Sequence, residues 1–130
     1  MDALPIDRLR AAARGFSDAR LVVVFGSAAR GQAASWSDLD VGVIGVDFWR
    51  GQEIGGILGD IIGREPHVVD LERADTWLRY NVARDGVLLH EASPGVWVAF
   101  QAQAMVMWFD LAPIVARCAE GVRRRLAEGR

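Results

Sequence analysis

Leu21-Val22-Val23-Val24-Phe25-Gly26-Ser27, followed after ten further residues by Asp38-Leu39-Asp40-Val41-Gly42-Val43-Ile44, is the stretch on which the rest of this 130-residue chain depends. The first five residues are a continuous apolar run, as expected of a central strand buried on both faces. Gly26 permits a sharp turn at its end, and Ser27 can cap a helix whose free N–H groups attract anions. The second segment reads as another strand. Residues two apart on a strand share a face, so Asp38 and Asp40 project together while Leu39, Val41 and Val43 anchor the opposite side. Two adjacent carboxylates repel, and a divalent cation between them relieves the repulsion. Gly42, next on the acidic face, is expected to leave room there for a ligand.

Working outward, residues 5–15 read as a covering helix that starts near Pro5 and stops at Gly15, with Ile6, Leu9 and Ala13 on one side. Between Gly51 and Gly63 the positions Ile54, Ile57, Leu58, Ile61 and Ile62 recur at helical spacing. His67-Val68-Val69-Asp70-Leu71 reads as a third strand, residues 74–84 as a helix, and Val87-Leu88-Leu89-His90-Glu91 as a fourth strand after the Asp85-Gly86 turn. His67 and His90 sit in no motif and are expected to be structural or surface residues. From Ser93-Pro94 a long helical stretch runs to about Ala127, with Pro113 marking a kink or a break into two helices.

Between Val96 and Phe109 only Gln101 and Gln103 are polar, so this helix is apolar nearly all round and must be covered on several sides. A partner chain could cover it, or its two halves could fold on each other around Pro113. The run is too short for a membrane span before Asp110 and Pro113 close it. Arg123, Arg124 and Arg125 complement the dipole of the helix end.

Composition narrows the class. One domain is expected, with 52% hydrophobic residues enough for a real core, and a core spanning about 16–92 followed by the helical segment at about 94–128. The formal charge of −2 and the scattered basic residues argue against direct DNA binding. A single cysteine, Cys118, and a start without a basic, apolar leader point to the cytoplasm. There is no lysine, so any cationic phosphate contact must come from arginine, whose fork suits phosphate oxygens. Neither a Walker A lysine nor a G-x-G-x-x-G is present.

Gly26-Ser27, ten intervening residues and Asp38-x-Asp40, with Arg30-Gly31 inside the interval and Ser37 before the first aspartate, resemble the signature of the DNA polymerase β-type nucleotidyltransferase superfamily. Within it, the short chain resembles the MntA-like antitoxins of HEPN/MNT toxin–antitoxin pairs. The resemblance implies an α/β (α+β) fold: a small mixed sheet flanked by helices, with the C-terminal helical segment added.

It also implies a Mg²⁺-dependent transfer of AMP from ATP to a hydroxyl, with a tyrosine of a HEPN ribonuclease toxin as acceptor. Asp38 and Asp40 would bind two Mg²⁺ ions, and Asp70 would complete the metal site from the third strand. Gly26 and Ser27 would cradle the phosphates, Arg30 would add a contact, and Ser37 would support the turn. Trp36 could stack on a base or simply pack. Asp70 has a rival role as a helix cap or a solvated strand end, with Glu65, Glu72 and Asp75 as competing carboxylates. Two other functions fit the chain: a non-catalytic module that silences its partner by covering it, and a small-molecule nucleotidyltransferase of the aminoglycoside-modifying type.

Overall fold

The computed structural model describes residues 4–29 and 38–129. The elements follow in the order α1 (Ile6–Ala13), β1 (Leu21–Phe25), α2 (Gly26–Ala29), β2 (Leu39–Ile44), α3 (Phe48–Ile62), β3 (Pro66–Asp70), α4 (Thr76–Asp85), β4 (Val87–Glu91) and α5 (Val96–Ala127). The four strands form one mixed sheet in the order β3-β2-β1-β4. β1 is central, antiparallel to both β2 and β4, and β2 runs parallel to β3. All five residues of β1 are buried, which is why that segment is apolar without alternation.

Helices cover both faces of the sheet. On one face Val22, Val24, Leu39, Val41 and Val43 pack with Leu9 and Ala13 of α1 and with Ile54 and Leu58 of α3. On the other, Leu21, Val23, Phe25 and Ile44 pack with Leu71, with Val82 and Ala83 of α4, and with Phe100 and Ala104 of α5. Ile57, one of the apolar positions at helical spacing, turns outward and is 40% exposed, while α3 lays Gly55 against β3, where a Cβ would stand 2.4 Å from Val68. The helices begin where short acids cap them: Asp47 accepts from Arg50 N at 2.7 Å, and Asp75 accepts from Leu78 N at 2.7 Å.

Arg50 ties α3 to the loop after α1. Its guanidinium donates to Asp18 at 2.8 and 3.1 Å, to the Gly15 carbonyl at 3.1 Å and to Glu53. The hydrogen bond from Arg50 holds the Asp18 carboxyl below its usual 3.8. A folded-state value below the unfolded one contributes stability that is present above 3.8 and is lost as pH falls below it. Asp18→Asn is therefore expected to lower the thermal unfolding midpoint at neutral pH. The gap to the unsubstituted protein should close as the solution is acidified; a gap independent of pH would contradict this account.

Two expectations about the C-terminal segment are settled here. α5 is a single helix that passes through Pro113, so its halves do not fold on each other. An interior proline costs about 3 kcal/mol and removes one backbone hydrogen bond, and the helix nevertheless continues to Ala127. The expectation that the apolar run is too short for a membrane span is corrected, because the helix continues past Asp110 and Pro113 and by length and hydropathy alone could cross one. Its first half, however, is tied into the domain: Gln101 donates to the Ala83 carbonyl at 3.0 Å, and Arg79 donates to Gln103 at 3.3 Å. Beyond Ala104 the helix is largely uncovered, and Val106, Phe109, Ile114, Val115 and Leu126 are all exposed.

Candidate active site

The acid pair lies where β2 begins, beside the end of β1. Asp38 is exposed immediately before the strand, and Asp40, its side chain 27% exposed, is the second residue of β2. Asp40 pairs with Phe25 on β1 and with His67 on β3, so these three side chains form a row across one face. That face is the one covered by α4 and α5. Leu39, Val41 and Val43 point the other way into the core, which fixes the register of the acid pair as alternation requires.

Gly26 closes on this row. Its φ is +79°, and a Cβ there would stand 2.1 Å from Asp40 Oδ2, so the carboxylate occupies the space that any other residue would fill. Gly26 and Ser27 form the first half of α2, a single turn running directly off β1, so Ser27 stands within the turn rather than before it. The turn and the carboxylate are thus held against each other by backbone. Arg30 and Ser37, with Trp36, lie outside the described residues.

Two expectations do not match this geometry. Asp70 is the first. In the parallel pairing of β2 with β3 it stands opposite Val43, with Val68 opposite Val41, and so belongs to the face covered by α3. It is separated from Asp40 both by face and by three residues of strand, roughly 10 Å. There it lines a cavity of about 400 Å³ with Val43, Phe48, Gly51 and Arg73. It accepts from Glu72 N at 3.0 Å and lies 3.8 Å from Arg73 Nε, which makes it a turn-former; the cap of α4 is Asp75.

The second is Gly42. It does share the acidic face, but a Cβ there would lie 2.7 Å from Leu71, so the missing side chain makes room for core packing rather than for a ligand.

His67, expected to be structural or a surface residue, is 66% exposed and stands beside the acid. Its Nδ1 lies 3.2 Å from Asp40 Oδ1. His90 fills the structural role expected of it, with Nε2 3.0 Å from the Ala19 carbonyl.

The donor set suits a hard divalent ion. Magnesium usually takes one or two protein carboxylates, keeps several waters and draws its other ligands from substrate phosphates, so a complete protein cage is not required. Asp38 and Asp40 supply such carboxylates at a solvent-accessible edge, with Oδ2 of Asp40 turned to the Gly26 turn. Among the described residues no three Asp, Glu, His or Cys side chains gather at one point.

A strand ending in a Gly-Ser turn, packed antiparallel against a strand that opens with Asp-x-Asp, is the core of a nucleotidyltransferase. Residues 8–94 match the family model described as "Polymerase beta, Nucleotidyltransferase", and the chain belongs to this family.

Solved structures share this fold over nearly the whole chain. The chain is similar to one described as a toxin–antitoxin with AMP-PNP (TM-score 0.72, 22% identity, covering 92% of this chain and 99% of that one). It is similar to one of the toxin–antitoxin MntA–HepT (0.66, 20%, 94% and 99%). A third is the tri-AMPylated Shewanella oneidensis HEPN toxin in complex with MNT antitoxin (0.67, 18%, 91% and 98%). No curated protein sequence matches the chain.

Proposed function

We propose that this protein is an antitoxin that transfers AMP from ATP to a hydroxyl, with tyrosine the expected acceptor, of a cognate HEPN ribonuclease toxin in the cytoplasm. The observation that carries the reading is the fixed apposition of Asp40 Oδ2 and the Gly26 turn: a cation-binding carboxylate and a phosphate-binding turn held together by backbone. Solved relatives with AMP-PNP and with an AMPylated HEPN toxin support the substrate and acceptor. The exposed apolar length of α5, continued by the stacked Trp77, Tyr80 and Trp108, supports a protein partner over a small molecule.

In this reading Asp38 and Asp40 hold Mg²⁺, and the Gly26-Ser27 turn seats the phosphates of ATP. Bound Mg²⁺ would neutralise triphosphate charge and lower the pKa of the acceptor hydroxyl. The acceptor oxygen bonds to the α-phosphorus as the bond to the β-phosphate oxygen breaks. Pyrophosphate leaves, and the hydroxyl proton passes to solvent. The turn and the carboxylates need not move, so the chain's own contribution is to hold the α-phosphate in line.

The test is to purify the chain with the toxin encoded beside it, add ATP and Mg²⁺, and weigh the partner. One or more added AMP masses are expected, together with loss of ribonuclease activity. A folded complex that silences the toxin with no mass change would replace this reading with inhibition by binding alone. Transfer of labelled nucleotide to an aminoglycoside without any protein partner would replace it with small-molecule modification.

A further inference from the structure

We propose that His67 is the positioning residue of the cation site, acting through Asp40. The inference rests on the proposed nucleotidyltransferase reading and names a side chain that the motif does not contain. The parallel pairing of β2 with β3 sets position 67 directly beside Asp40 on the acidic face. His67 Nδ1 stands 3.2 Å from Asp40 Oδ1. A carboxylate can only accept, so Nδ1 carries the proton and donates it.

The two oxygens of Asp40 are therefore assigned different work. Oδ1 is held by His67, while Oδ2 is pressed against Gly26 and faces the turn. A carboxylate with one oxygen tied cannot rotate freely about its last bond, so the other oxygen is presented in a fixed direction. Hydrogen bonds to a metal-ligating carboxylate orient it in this way, and their loss typically weakens metal binding or activity 10–100-fold. Asp70, the acid on the same strand, cannot replace His67, because it faces α3. Nor is His67 there for the core: its side chain is 66% exposed, so its removal leaves little packing to lose.

Mn²⁺ binding, followed by its electron paramagnetic resonance signal in the presence of a non-hydrolysable ATP analogue, tests this with the full chain. His67→Ala is expected to weaken Mn²⁺ binding at least about tenfold with an unchanged melting temperature, and His67→Asn, whose amide N–H can take the place of Nδ1–H, to recover most of that loss. Equal binding by the unsubstituted and alanine proteins overturns the proposal. So does an asparagine variant no better than alanine. A chain that binds Mn²⁺ with this His67 dependence yet transfers no AMP to its toxin leaves the positioning role standing and removes the proposed function. A chain that transfers AMP but binds Mn²⁺ independently of His67 does the reverse.

Discussion

Asp40→Ala, made in the otherwise intact chain, is expected to abolish AMP transfer to the partner while leaving the complex with that partner intact. The reason is positional. Asp40 is the acid wedged between the Gly26 turn and His67, and no other described acid shares its row across the sheet. Under the proposed function, losing it removes a Mg²⁺-binding oxygen near the reacting phosphate, where fixed electrostatic groups are commonly worth about 10²–10³-fold in rate each. Asp38→Ala is expected to act in the same direction, and the double substitution to leave no measurable transfer.

Stability should hardly change. The core-facing residues of β2 are untouched, and removal of one of two neighbouring carboxylates relieves repulsion. The measurement pairs intact-mass analysis of the toxin with its residual ribonuclease activity. If the double variant still silences the toxin without modifying it, protection comes from covering the partner, and the exposed face of α5 becomes the agent.

Gly26→Ala carries the second large effect, and it should damage activity and stability together. Residue 26 has φ +79°, a left-handed conformation that costs an L-residue about 1–2 kcal/mol. Beyond that strain, the new methyl would have to displace Asp40 Oδ2, from which an ideal Cβ stands only 2.1 Å. Either the turn or the carboxylate must shift, and a shift of about 1 Å at a reacting centre can cost on the order of 100-fold in rate.

A glycine elsewhere provides the control. Gly56 on α3 has open space where a Cβ would go, so Gly56→Ala should leave transfer unchanged and stabilise the protein by roughly 0.5–1 kcal/mol through helix propensity. Thermal unfolding and transfer rate measured on both variants separate a general intolerance of substitution from the specific clash at the turn. Normal transfer by Gly26→Ala would mean that the turn and Asp40 do not act as one unit.

The strands were legible in the chain because their burial dictates their composition. β1 lies between two other strands and under two helical layers, so it can be written only with apolar residues. β2 is buried on both faces except at Asp40, so its acids stand out against apolar neighbours at alternate positions where the strand begins. The spacing from Gly26-Ser27 to Asp38-x-Asp40 gave the class of site through its resemblance to the nucleotidyltransferase signature, which the family match over residues 8–94 bears out.

That His67 stands beside Asp40 was not legible, and the reason lies in β3. Residues 66–71 show which side chains share a face with which, namely His67 with Val69 and Leu71, and Val68 with Asp70. They do not show which of those two faces lies beside Asp40. Only the β2–β3 register answers that, and the register is fixed by packing: Val68 goes under α3, beside Gly55, and His67 is thereby turned to the acid row. The fate of α5 was undetermined for a similar reason. Its apolar circumference and Pro113 are compatible with a hairpin or a rod, and tertiary structure made it a rod.

The sequence by itself thus determined the four strands, the Gly-Ser turn and the paired carboxylates, because local spacing and alternation are properties of the chain; the mixed sheet was what the family resemblance implied. Tertiary structure alone decided that His67 rather than Asp70 meets Asp40 and that the far half of α5 stands uncovered. Both are relations between segments distant in sequence, fixed by strand register and helix docking rather than by any residue's own preference.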